Sequence, residues 1–339
     1  MLNSMNKKHP ANTSSWLWGL ILLFALLAAV LISLSTGTLS ISFRELGAIL
    51  LHGSGQQIEQ VIVWQVRLPR VLLAGLVGAA LSLSGVTFQA VLRNPLADPY
   101  LLGVSGGAAL GAVAALTCGF HSPIVVPLAA FAGAIGSLLL VYIVAQAHTC
   151  SSHTLVLAGV MVGSLAASLL LFLLWRAPAD ASRQAIFWLA GNLSLADPDW
   201  LSWSWMWLLA GFILLWSQSF RLDLLTQGEE TAADLGLDVG KTRWILFLLA
   251  GALTACAVAL AGLVGFVGLV IPHICRLLWG PSHRLLLPLA ALLGGTFLIV
   301  ADTIARSLYA PTEIPVGVVT ALLGAPFFLY LLRNKGGRL

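Results

Sequence analysis

Few side chains here could do chemistry, and their spacing limits what kind. His148, Cys150 and His153 fall within one short stretch and are of types that ligate zinc, although soft residues of an ordinary loop read the same way. Gly236-Leu237-Asp238-Val239-Gly240-Lys241-Thr242 looks like a phosphate-binding loop. That motif needs four residues between its glycines and a soluble helix after it, whereas three intervene here and an apolar run follows. Asp302 and Arg306 lie near one end of an apolar run, and His273 with Arg276 near the end of another. A proton- or ion-coupled transporter keeps ionisable groups at mid-membrane, and the middles of the runs are almost free of them. No nucleophile, base or metal cluster has catalytic spacing. Neither enzymatic activity, a metal nor a cofactor is expected. An ion-coupled secondary transporter or exporter acting alone stays as the alternative function.

The elements that carry these residues follow from composition. Of 339 residues, 59% are hydrophobic and 9% charged, against roughly 25% charged in soluble domains. So few charges cannot clothe a water-exposed surface, so the apolar surface must face lipid. A net charge of +4 gives no reason to expect nucleic acid. Four scattered cysteines form no disulfide framework. The apolar runs are continuous, not alternating, which excludes a β-barrel. The expected class is an all-α polytopic membrane protein.

A spanning helix needs about 20 apolar residues. Breaks at charge, Pro and Gly give ten expected spans, at 16–36, 67–90, 101–118, 123–147, 154–175, 200–219, 243–263, 264–280, 285–304 and 315–332. Residues 1–15 and 334–339 are tails, and 16–333 is one ten-helix domain. The first run is too long, and its flank too poor a cleavage site, for a signal peptide. With both termini cytoplasmic, eleven of the 17 basic residues lie inside and six outside (Arg44, Arg67, Arg70, Arg176, Arg183 and Arg306). Trp200, Trp203, Trp205 and Trp207 fit an interfacial belt. Gly75, Gly78, Ala79, Ser82 and Gly85 share faces of the second span, and Gly262, Gly265 and Gly268 recur in the eighth. Small residues permit close helix packing, and a smooth pathway lining is the other reading.

The most charged inner segment, 221–243, contains a short helix. Thr226 or Gly228 caps it, Glu229 and Glu230 meet its positive end, and Gly236 stops it. So short a helix must pack on something. The choice is between a solvated loop lying on its own spans and a coupling element held by another subunit.

Several motifs then coincide in order: Arg67-Leu68-Pro69-Arg70, Arg93-Asn94-Pro95-Leu96-Ala97-Asp98-Pro99, Leu102-Gly103-Val104-Ser105-Gly106-Gly107-Ala108, and Gly228-Glu229-Glu230 through Leu235-Gly236. After them come Gly265-Phe266-Val267-Gly268-Leu269-Val270-Ile271-Pro272-His273 with Arg276, Asp302-Thr303-Ile304-Ala305-Arg306, and Glu313-Ile314-Pro315-Val316-Gly317 running on to Ala321. Together, over roughly 20–333, they resemble the FecCD-type permeases, the membrane subunits of binding-protein-dependent ABC importers for iron–siderophores, haem and vitamin B12.

The resemblance implies ten helices, with spans two to five and seven to ten forming a pseudo-inverted repeat. It implies a second permease subunit (a homodimer), two ATPase subunits, and a periplasmic or lipoprotein substrate-binding protein. The cargo would be a metal chelate, iron–siderophore first, and the location a bacterial or archaeal cytoplasmic membrane. By the same resemblance Arg67, Arg70 and Arg306 dock the binding protein; as lipid-boundary anchors they would need no partner. Gly228, Glu229, Glu230, Ala233, Leu235 and Gly236, within a coupling region at 226–239, would meet the ATPase. Ser151, Ser152 and His153 fall at the implied cytoplasmic gate, where the bulkier, titratable His153 departs from the family pattern. Asn94, Pro95 and Asp98 shape the turn after the second span, with Asp98 able to cap the next helix.

Overall fold

The computed structural model describes residues 13–53, 55–120, 122–146, 151–194 and 198–335, and among them every regular element is helical. The chain begins with α1 (Thr13–Ser35), α2 (Phe43–His52) and α3 (Gln57–Val61). A π-helical segment, Ile62–Arg67, runs into α4 (Leu68–Val91). A 3-10 turn at Pro99–Leu102 leads to α5 (Val104–Thr117), α6 (Val125–Gln146), α7 (Ser152–Arg176) and α8 (Ala179–Leu189). Then come α9 (Pro198–Ser217), α10 (Ser219–Thr226), α11 (Glu229–Asp234) and α12 (Val239–Ala261). The chain ends with α13 (Val267–Trp279), α14 (His283–Ser307) and α15 (Val316–Lys335).

Every expected span falls on a helix, but the helices are unequal. Among the described residues six stretches are long and apolar enough to cross a membrane: α1, Gln57–Val91, α6, α7, α12 and α14. A seventh is the pair α9 and α10, bent by 55°. The remaining apolar helices, α5, α13 and the Val316–Tyr330 part of α15, are shorter. The second stretch starts ten residues before the expected 67, because the π segment carries the helix back to Gln57 over 35 residues. Periodicity gave no sign of α2, α8 or α10, which are short and amphipathic or polar. Ser42 and Glu45 form a capping box on α2, which fixes its start.

α4 is the axis of the molecule. Nearly all of its residues from Pro69 to Val91 are buried, whereas α1 is largely exposed, and it packs on α14, α12, α13 and α9. Glycine permits this. A Cβ on Gly78 would strike the carbonyl oxygen of Gly294 in α14, and one on Gly85 that of Gly268 in α13. α5 and α6 approach in the same way through Gly107, Gly111 and Gly133. At these positions the small residues serve backbone-to-backbone packing, the stronger driving force in lipid. Gly265 differs, with open space where its Cβ would stand. The outer surface is apolar: Trp16, Phe24, Leu171, Trp175 and Trp203 are all largely exposed, as lipid-facing groups are.

Candidate functional sites at the two ends of the central helix

The polar side chains gather where α4 starts and where it ends. At the start Arg67, last residue of the π segment, is buried and donates through Nη1 to the Leu34 carbonyl at 2.6 Å and through Nη2 to that of Leu39. One turn on, Arg70 reaches Asp302 of α14 with Nε and Nη2, at 3.0 and 2.8 Å, and Glu313 with Nη1 at 2.8 Å. Arg306 donates through Nη2 to Ser33 Oγ at 2.6 Å and through Nη1 to the Thr36 carbonyl at 3.2 Å, and its Nε lies 3.4 Å from Asp302. Arg70 and Arg306 therefore share one fully buried carboxylate, Asp302, while Arg67 and Arg306 hold the 33–39 segment. All three point into their own chain. Glu313 is the exposed member, with 47% of its side chain accessible. Beside it opens a cleft of about 190 Å³, whose polar lining is Arg70, Asn192, Ser194 and Glu313.

The opposite end of α4 meets the charged segment. Gly228, at φ 121°, turns the chain into α11 without a side-chain cap, while the Thr226 hydroxyl closes α10 by donating to the Asp223 carbonyl at 2.7 Å. Ala232 is buried, whereas Glu230, Ala233, Leu235 and Gly236 are exposed, Leu235 by 62%. Glu229 turns the other way. Its Oε1 accepts from Arg93 Nη2 at 2.9 Å and from Arg243 Nη2 at 2.6 Å. The two guanidiniums, Arg243 first, hold this carboxyl below its ordinary range. Asp238, inside the decoy phosphate loop, caps α12 by accepting from Lys241 N at 3.0 Å, so that stretch is a helix start. Ser151 caps α7, accepting from Thr154 N at 3.2 Å; Ser152 is buried and donates to the Val91 carbonyl at 3.2 Å; His153 is exposed. His148 and Cys150 lie outside the described residues.

Sequence reasoning missed several partners. Asp302 and Arg306 were visible as an i,i+4 pair, a signal for a buried charge cluster. Gln89, a polar residue in an apolar run, was a second signal: its Nε2 reaches the carbonyls of Ala97 and Leu269 at 3.3 Å, and Arg276 of α13 donates to its Oε1. The Tyr100 hydroxyl, which donates to the Val264 carbonyl at 3.0 Å and accepts from its amide at 2.9 Å, had no sequence signal. Nor did Asp223, which accepts from His283 N at 2.9 Å and lies 2.6 Å from its Nδ1. Asp98 caps the 3-10 turn by accepting from Tyr100 N at 2.8 Å, so it shapes the turn.

An apolar exterior, a buried axial helix and charged groups gathered at the helix ends define a multi-pass helical membrane protein of permease type. The chain belongs to the FecCD transport family, whose model matches residues 25–334. Among curated relatives it is 46% identical over 278 residues to the cobalamin import system permease protein BtuC of Halobacterium salinarum, covering 81% of this chain and 74% of that one. It is 40% identical over 314 residues to the Fe(3+) dicitrate transport system permease protein FecD of Escherichia coli, covering 91% and 95%. Among solved structures it superposes with a TM-score of 0.83, at 35% identity, on a protein assigned to the metal-chelate type of ABC transporters in an inward-facing conformation, covering 94% of this chain and 99% of that one. The chain is a permease subunit of an ABC importer, a role that implies ATPase and binding-protein partners.

Proposed function

We propose that this permease conducts a metal chelate across the cytoplasmic membrane, an iron–siderophore first and vitamin B12 or haem next. The observation that carries the cargo class is the likeness, across almost the whole chain, to a metal-chelate-type transporter. The working assembly is two copies of this chain, two ATPases below them and a periplasmic or lipoprotein binding protein above. ATP is hydrolysed by the partner; the permease supplies the path.

On this reading all ten apolar helices cross, both termini are cytoplasmic, and spans two to five repeat as seven to ten. Support comes from α5 and α13, 14 and 13 residues long, which hold matching places in the two halves, each after a break in the chain. The end holding Arg67, Arg70 and Arg306 faces the binding protein: these three, with Asp302 and Glu313, leave one net positive charge there to meet acidic side chains. The opposite end is cytoplasmic. There α11 faces the ATPase with Glu230, Ala233, Leu235 and Gly236 outward on the hinge of Gly228, and Ser151, Ser152 and His153 flank the gate.

The test is reconstitution. Purified chain in sealed vesicles is expected to move no chelate alone or under a proton gradient. It should transport once ATPase, binding protein and ATP are added. Uptake driven by an ion gradient without the ATPase would defeat the proposal.

A further inference from the structure

We propose that Glu229, with Arg93 and Arg243, is a clasp that carries movement of α11 into α4 and α12, and that Glu229 does not contact the ATPase. The inference rests on the reading that α11 faces that motor. α11 has six residues, too few to stand alone, and its one buried side chain is Ala232. Beyond Ala232, the side chain that fastens it to the neighbouring helices is Glu229. One oxygen of its carboxylate receives a guanidinium from just past the end of α4 and another from the second turn of α12.

Both arginines are held in place. Arg93, at φ 49°, is the left-handed residue that closes α4: its N–H donates to the Ala90 carbonyl at 3.2 Å and that of Asn94 to the Gln89 carbonyl at 3.1 Å, so its backbone is fixed at the helix end. Arg243 is 5% exposed, so without Glu229 its charge would stay buried and lose this counter-ion. Gly228 stands where a Cβ would approach Arg93 Nη1 to 3.9 Å, so hinge and clasp lie side by side. The same end of α4 is tied to α7 through Ser152 and Val91, and α4 packs on α14, α12, α13 and α9. A shift of α11 thus reaches the axis of the bundle through two ion pairs, while Leu235 and Glu230 remain free to face a partner.

The experiment uses the full transporter, with ATPase and binding protein, in vesicles loaded for chelate uptake. Glu229→Gln is expected to co-purify with the ATPase as the unaltered chain does, while chelate moved per ATP hydrolysed falls at least tenfold. Arg93→Gln, which leaves the Arg243 pair intact, keeps the fold and should show the same uncoupling to a smaller degree. Glu229→Gln combined with Arg243→Gln should be no worse than Glu229→Gln alone, since losing the carboxylate already breaks both ion pairs. Loss of the ATPase from the Glu229→Gln complex would make Glu229 a contact and overturn the clasp. Normal transport per ATP, or additive losses in the double variant, would also overturn it. Leu235→Asp is the separate arm. It should release the ATPase, and retention would defeat the reading of α11 as motor-facing and the clasp with it.

Discussion

Asp302 lies between two guanidiniums with no exposure to solvent, and Arg70 and Arg306 both depend on it. Removing one partner of a buried ion pair costs about 3–5 kcal/mol, because the remaining charge stays desolvated. Asp302→Asn should therefore lower the unfolding temperature in detergent well beyond the effect of Glu313→Gln, whose side chain is half exposed. Equal shifts would mean that Asp302 is not the keystone of that end. Glu229 allows a test by pH. Its carboxyl is held below the ordinary value of 4.5, so its contribution is complete above that value and is lost only as pH falls through the lowered one. The difference in unfolding temperature between the unaltered chain and Glu229→Gln should hold from neutral pH to about 4.5 and close below it. A difference that already fades near pH 6 would show that the arginines do not hold the group.

At the scale of elements, close packing of the axial helix gives the sharpest contrast. Gly85 admits no Cβ without displacing the Gly268 backbone, whereas Gly265, three residues away from that contact, faces open space. Overpacking of this kind typically costs about 1–3 kcal/mol. Gly85→Ala should reduce folded yield and unfolding temperature, and Gly265→Ala should leave both unchanged; the reverse order would remove packing as the reason for glycine in α4. What was legible in sequence follows the same physics. Long apolar runs such as those of α1, α6 and α14 announce themselves because lipid demands continuous apolar length. α10 was hidden because its eight residues mix Leu with Arg221 and Asp223 and continue a bent helix. The motifs marked Arg67, Arg70 and Arg306, but the direction they point is set by contacts with 33–39 and 302, distant in sequence and invisible to spacing. Glu229 was singled out, yet its partners lie 136 positions back and in the next helix, so nothing local separated it from Glu230.

For the whole molecule, the proposed division into a docking end and a motor end can be tested by charge. Reversing Arg67, Arg70 and Arg306 would disturb the fold as much as any partner, since their guanidiniums already hold the 33–39 carbonyls and Asp302. Glu313 is the member that can be changed at the surface, and it occupies Arg70 Nη1 at the edge of the open cleft. Glu313→Gln raises the net charge of that end from one to two by the count of Arg67, Arg70, Arg306 and Asp302. If an acidic face of a binding protein docks there, association should quicken and affinity should rise several-fold at low ionic strength. The gain should fade as salt shortens the screening length toward about 8 Å at physiological strength. ATPase co-purification, which the proposed division assigns to the far end of α4, should stay as it was. Unchanged binding-protein affinity at every salt concentration would remove the arginine end as the docking face, while a change in ATPase association instead would mean that the two ends have been assigned the wrong way round.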